Sequence, residues 1–190
     1  MRVDEILERY AAGERDFSGV KLRRACFINC DLRDANFSGA NLMRVQMVSA
    51  ILDGADFSRA KLDGADFTSA VLRRADFAKA TLGSVKLVGA NCYKASFQQA
   101  QLYGAFLQGG QFAEANFYKA DLGTTSVAGA SFTRADMREA NLDEAIGAAD
   151  FTDSNLRGAY IPELSLRLKG SQFDSSVHES GYLSTEYPYQ

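Results

Sequence analysis

The sequence predicts an all-β solenoid whose coils have four sides and twenty residues each, and two periodicities predict it. A large apolar residue recurs at every fifth position from Phe17 to Leu142. Of these 26 residues ten are Phe and twelve Leu, and Met47, Cys92, Val127 and Met137 complete the series. Two residues earlier, from Ala25 to Ala140, stands a small residue. It is Ala in 19 of 24 cases, the others being Cys30, Val45, Val85, Gly110 and Thr125. A step of five fits neither the helical nor the strand period, so each step is a short straight piece followed by a corner. The second periodicity is twenty. Phe17, Phe37, Phe57, Phe77, Phe97 and Phe117 form one ladder, and Leu22, Leu42, Leu62, Leu82, Leu102, Leu122 and Leu142 another. A ten-residue Phe/Leu alternation breaks at Leu87, Leu107 and Phe112, where the twenty-residue ladders persist. Like stacking on like at fixed spacing is what a solenoid core requires.

Residues 1–14 form a cap. Within 3–12, Ile6, Leu7, Tyr10 and Ala11 fall on one helical face, Asp4 and Glu5 sit in the first turn where the helix dipole favours them, and Gly13 suits the end. Such a helix covers the backbone edge of the first coil, which otherwise invites end-to-end pairing. Residues 15–166 carry the repeat. Leu142 to Phe151 is one residue short of two steps, which places a register slip and a pinched corner near 146–148. The pattern resumes at Phe151, Leu156, Ile161 and Leu166, and Pro162 removes a donor close to the last edge. Residues 167–190 leave the repeat and form a C-terminal cap or tail, with Phe173, Val177, Tyr182, Leu183, Tyr187 and Tyr189 among polar residues.

The segments ADFSRA, ANFSGANL, GADFTSA and RADFAKA resemble the A-(D/N)-(L/F)-x-x unit of the pentapeptide-repeat family, over about three quarters of the chain. The opening LERYAAGERDFSG is similar to the start of many cyanobacterial members. The resemblance implies a right-handed quadrilateral parallel β-helix, and right-handedness agrees with the general preference for parallel crossovers. About seven coils at ~4.8 Å spacing make a rod on the order of 35 Å long. Some family members mimic duplex DNA and bind DNA gyrase, protecting or inhibiting it, and those that bind topoisomerases dimerise through the C-terminal end.

Composition bounds the function classes. No apolar run approaches a membrane span, and the acidic start MRVDEILERY lacks the apolar core of an export signal. Three cysteines are too few for a disulfide framework, and a reducing cytoplasm is expected. On the repeat map Cys26 points outward while Cys30 and Cys92 point inward, three coils or ~14 Å apart, too far to bridge. The single histidine, His178, lies in the tail without a second ligand, and no phosphate loop or nucleophile elbow is present. The recurring Asp16, Asp56, Asp66, Asp76 and Asp136 read as wall and turn residues. No enzyme and no cofactor is expected.

Function then belongs to the outer faces. Net charge is −3, with 15 basic and 12 acidic residues in 1–100 but 6 and 12 in 101–190. Arg33, Asp53 and Arg73 stack in one column, with Asp56 and Asp76 beside Arg74, as a self-neutralising wall. Arg59, Lys61, Lys79 and Lys119 form a second corner, too sparse in an acidic chain to bind nucleic acid directly. On a third side Ile28, Val48, Ile51, Thr68, Val71 and Val88 read as a flat stripe of exposed β-branched residues, with Asn29, Ser49, Ser69 and Gly89 between them. β-Branched residues suit strands in any case, but a contiguous exposed run marks an interaction surface. Tyr103 and Phe106 are a second, smaller candidate. The expectation is a non-catalytic rigid module that binds a protein partner, with a homodimer through one end or through the stripe as a variant. A gyrase-binding DNA mimic is the alternative. It needs columns of uncompensated negative charge, whereas this chain interleaves Arg and Lys with Asp.

Overall fold

The computed structural model describes residues 1–161. Parallel β-pairings join Asp16 to Asn36, Lys21 to Asn41, Cys26 to Gln46 and Asp31 to Ile51, and the same four columns continue at steps of twenty along the chain. Each twenty-residue turn therefore has four paired sides. We name them after their first inward residues: the Phe17, Leu22, Phe27 and Leu32 sides.

The hydrogen bonds explain why five residues make one side. The amide of Phe17 donates to the Asn36 carbonyl and that of Gly19 to Ser38, while the Asn36 amide donates back to Arg15. The Val20 amide returns to the Phe17 carbonyl and closes a β-turn. This set repeats down the coils, so four of every five amides are bonded within the backbone. The turn demands a left-handed residue at its third position. Every such residue from Gly19 to Glu144 has φ between 53° and 69°, and nineteen non-glycine residues among those described adopt positive φ. That conformation costs roughly 1–2 kcal/mol for an L-residue, and the amide bonded to the next coil holds it there. The predicted turn role of the aspartates is observed: Asp16, Asp56, Asp66, Asp76 and Asp136 each accept, at Oδ1, the amide two residues on.

The inward residues fill the coil. Phe17, Phe37, Phe57, Phe77, Phe97 and Phe117 stack with centroids 4.7–5.6 Å apart. The exceptions in the small-residue series have volumetric reasons. Val45 and Val85 accompany Met47 and Leu87, filling space that Phe27 and Phe67 fill beside an Ala. Gly110 precedes Phe112, whose ring lies where a Cβ would sit, 2.5 Å from its ideal position. Thr125 is fully buried and donates its hydroxyl to the Leu122 carbonyl at 2.8 Å.

At the open N-terminal edge lies α1, Val3–Ala11. Ile6 is completely buried, Val3, Leu7 and Tyr10 pack on the core, and Tyr10 Oη donates to the Arg33 carbonyl at 3.0 Å. The helix thus lies over this edge and satisfies one of its carbonyls.

The slip is where the spacing put it. Ser126 pairs with Ile146 twenty residues on, but Ser131 pairs with Asp150, nineteen on, and the shorter step continues to Asn141 and Tyr160. Gly147 takes φ 103°, and a Cβ there would lie 2.7–2.8 Å from the Ala128 backbone. Only glycine fits this corner. Pro162, Leu166 and the 167–190 segment with His178 lie outside the described residues. Gly147→Ala is expected to destabilise by about 1–3 kcal/mol from strain alone, with more from the clash. Gly129→Ala, at φ 69° with its nearest neighbour at 4.0 Å, should cost less. Thermal melting of the two variants compares them, and equal melting temperatures would contradict the pinched corner.

Candidate interaction faces

Each side exposes three residues per coil: the paired residue before the inward one, and the two turn residues after it. The sequence therefore sets the chemistry of four separate walls. On the Leu32 side charge is neutralised in place. Asp53, itself 7% exposed, accepts Arg73 N, Nε and Nη2 at 3.0, 3.1 and 2.5 Å. Arg33 turns to Asp31 of its own coil, at 2.6 Å, rather than to Asp53 as the column implied. Arg74 adds to the lowering of the Asp53 pKa. The hydrogen bond from Arg73 is the main cause holding the Asp53 carboxyl below its ordinary value.

Two clamps of one design recur. Tyr93 Oη and Lys94 Nζ both reach Glu114, at 3.1 and 3.3 Å. Tyr118 Oη and Lys119 Nζ reach Glu139 at 3.2 and 3.3 Å. Lys119, assigned to the basic corner, is thereby neutralised, while Arg59, Lys61 and Lys79 remain on that corner.

The Phe27 side is different. Its outward residues run Cys26, Ile28, Asn29; Gln46, Val48, Ser49; Asp66, Thr68, Ser69; Lys86, Val88, Gly89; Phe106, Gln108, Gly109; Ser126, Ala128, Gly129; then Ile146 and Ala148. Only Asp66 and Lys86 are charged, and they pair with each other at 3.4 Å. Of the exposed large apolar residues, Ile28 at 41%, Phe106 at 42% and Ile146 at 49% lie on this side and Ile51 at 38% and Tyr103 at 60% at its margins, whereas Met1, Tyr93 and Tyr160 lie elsewhere. Val48, Thr68, Val71 and Val88 are half-buried.

The sequence-derived stripe needs one correction. Val48 and Thr68 lie in turns closing the Phe27 side, whereas Ile51 and Val71 open the Leu32 side beyond Ser49 and Ser69, at φ 55° and 58°. The six residues form a ridge along a corner, not a flat face. Tyr103 and Phe106 straddle the opposite corner in the same way. Phe106 and Ile146 occupy one column with Ser126 between them, so the two candidate patches border a single neutral wall. Ile146 was missed because the slip hides its register. The signal that would have found the wall was the scarcity of charge on one side, where Asp66 and Lys86, one coil apart, are the two charged outward residues.

Cys26 is exposed, Cys30 half-buried and Cys92 fully buried, where burial pushes its thiol up. Among the described residues no group of three or more His, Cys, Asp or Glu is placed to hold a metal ion, and no helix is long and apolar enough to cross a membrane.

Two family models match this chain: a pentapeptide repeat region over residues 20–87, and pentapeptide repeats (8 copies) over 75–110, 90–126 and 111–146. Among solved structures it is similar to HetL, a pentapeptide repeat protein involved in heterocyst differentiation regulation from the cyanobacterium Nostoc sp. strain PCC 7120. Identity is 26%, over 93% of this chain and 94% of that one, with TM-score 0.29. It is also similar to the pentapeptide repeat protein Rfr23 of the cyanobacterium Cyanothece 51142, at 21% identity over 76% and 98%, TM-score 0.47. A third is QnrB1, a plasmid-mediated fluoroquinolone resistance protein, at 22% over 87% and 86%, TM-score 0.39. Among curated proteins none matches the chain.

Asp53→Asn is expected to cost about 1–3 kcal/mol at neutral pH, the range for breaking a charged hydrogen bond at a buried acceptor. Because the folded-state pKa is depressed, the contribution is present above the ordinary carboxylate value and is lost as pH falls through the folded one. Melting curves of wild type and variant should converge in acid. A gap that does not narrow as pH falls below the ordinary carboxylate range would contradict the ion-pair account.

Proposed function

This chain belongs to the pentapeptide-repeat family, and on that footing we propose that it is a non-catalytic rigid scaffold for protein–protein contact, a right-handed quadrilateral β-helix of about seven coils working in the cytoplasm. The docking surface is the Phe27 side with its corners: Ile28, Val48, Thr68, Val88 and Phe106, flanked by Ile51, Val71 and Tyr103. One observation carries the reading. Among the described residues the one wall whose two charges cancel carries three of the eight exposed large apolar side chains, Ile28, Phe106 and Ile146, and Ile51 and Tyr103 border it. A wall of this kind loses little on dehydration, and contiguous exposed apolar surface is characteristic of contact sites. The Leu32 side, by contrast, holds Asp31, Asp53 and Glu114 in pairs with Arg33, Arg73 and Lys94, and such pairs contribute little to affinity when exposed.

The alternative of a DNA mimic that binds DNA gyrase draws on the acidic C-terminal half and on the likeness to a fluoroquinolone resistance protein. It is the weaker reading, because that half holds Glu114, Asp136, Glu139 and Asp153 in ion pairs with Lys94, Arg138, Lys119 and Arg134. Mimicry of duplex DNA relies on uncompensated charge at regular spacing.

The test is affinity capture with three baits: wild type, Val48→Asp with Ile51→Asp, and a control pair on the Phe17 side, Ser58→Asp with Ala78→Asp. All four positions face outward, so melting temperatures should stay close to wild type. A protein retained by wild type and control but lost by Val48→Asp/Ile51→Asp supports the assignment. Equal loss from both variants, or gyrase retained by all three, overturns it.

A further inference from the structure

The Leu22 side is polarised along the rod. Its first three coils present Lys21, Arg23, Arg24, Arg44 and Lys61, with Asp63 as the one carboxylate. Its next two coils are uncharged: Thr81, Gly83 and Ser84, then Gln101, Tyr103 and Gly104. The two after that present Asp121, Asp143 and Glu144 and no cation. Asp63 is turned onto the following coil, where it accepts Thr81 Oγ1 at 2.6 Å and the Gly83 amide at 3.1 Å. Arg44 lies over Gly64, its Cγ 3.3 Å from where a Cβ would sit.

From this pattern we infer that the Leu22 side is a self-complementary surface through which two copies of the chain associate antiparallel about a two-fold axis. An isologous contact sets each residue against its symmetry counterpart across the axis. With the axis between the Leu82 and Leu102 coils, the coil of Leu42 meets the partner copy's coil of Leu142, and that of Leu62 meets that of Leu122. Arg44 then faces Asp143 and Glu144 of the second copy, and Lys61 faces Asp121, each pair occurring twice. A parallel arrangement sets cation against cation and carboxylate against carboxylate, so charge selects the antiparallel one.

The uncharged centre has the shape for this. Tyr103 is the most exposed large apolar side chain of the described residues. The positions one coil to either side, in its own column, are Gly83 and Gly123, and the ring lies against Gly123, 3.1 Å from where a Cβ would project. About the same axis Tyr103 of each copy comes opposite Gly83 of the other, which carries no side chain of its own and has the Asp63 carboxylate beside it. An aromatic ring at the centre of an interface, with charged pairs outside it, is the usual anatomy of a contact. Seven coil steps of ~4.8 Å and a side at most ~16 Å wide give roughly 500 Å² per copy, below the ~800 Å² of a standard interface. The dimer is therefore weak and salt-sensitive. It shares only Tyr103 with the margin of the proposed partner surface, and Val48→Asp/Ile51→Asp, which removes the partner, leaves the dimer intact, so the two are distinguished.

Sedimentation velocity of the full chain over a concentration series tests it, at low salt and at ~1 M salt, where the screening length falls to ~3 Å. Expected are a concentration-dependent dimer at low salt and a monomer at high salt. Arg44→Glu alone and Asp143→Arg alone each raise the dissociation constant at least about ten-fold, equivalent to ~1.4 kcal/mol. The double variant Arg44→Glu/Asp143→Arg restores association, because the swapped charges meet again across the axis. Tyr103→Ala weakens the dimer at low salt. All are surface changes, and an unaltered far-ultraviolet spectrum verifies folding. A monomer at every low-salt concentration, or a dimer indifferent to the single charge reversals, overturns the inference.

Discussion

The structure depends on one constraint: the amide ladder between successive coils, which fixes the register to five residues per side. Within each side two amides donate to the coil ahead and one carbonyl accepts from it. That arrangement allows a single inward direction for each central residue. It also forces the left-handed corner, which explains why Arg, Lys, Glu and Ser occupy positive φ where glycine is the ordinary choice. Burial of Phe and Leu provides the driving force, at roughly 1.5–3 kcal/mol per side chain before entropy. The ladder decides where that burial occurs.

Because the core is prescribed by two positions in five, the remaining three are free to vary, and each wall becomes a separate chemical surface. Here the walls have diverged. One neutralises itself through Asp53 and Arg73 and through the Tyr–Lys–Glu clamp of Tyr93, Lys94 and Glu114. A second grades from basic to acidic, and a third is almost uncharged and carries exposed Ile28, Phe106 and Ile146. Among the described residues the interior is uniform from coil to coil, so what distinguishes one part of the rod from another lies on its walls.

Much of this was legible in the sequence. The five- and twenty-residue periods, the capping helix and the missing residue near Gly147 are all properties of spacing, and spacing is what the ladder reads. What escaped was relation across corners. Val48 and Ile51 are three residues apart and both outward, yet a turn through Ser49 puts them on different sides. The partner of Arg33 was equally hidden, since Asp31 in its own coil and Asp53 in the next are both within reach of a flexible guanidinium. The neutral wall is the sum of positions spread over residues 26–148 and appears only when every twentieth residue is read together.

Residue-resolved hydrogen exchange tests the ladder most directly. The account predicts a protection pattern with period five, in which four amides of each step are slow. The fifth is fast wherever the preceding outward residue is not Asp or Asn, as at Val48, Val88, Gln108 and Ala128, and slow where a carboxylate or amide oxygen caps it, as at Ser58 and Thr68. Protection with a period of two or 3.6, or uniform protection through Val48 and Val88, would contradict the four-sided coil on which the assignment of every surface residue rests.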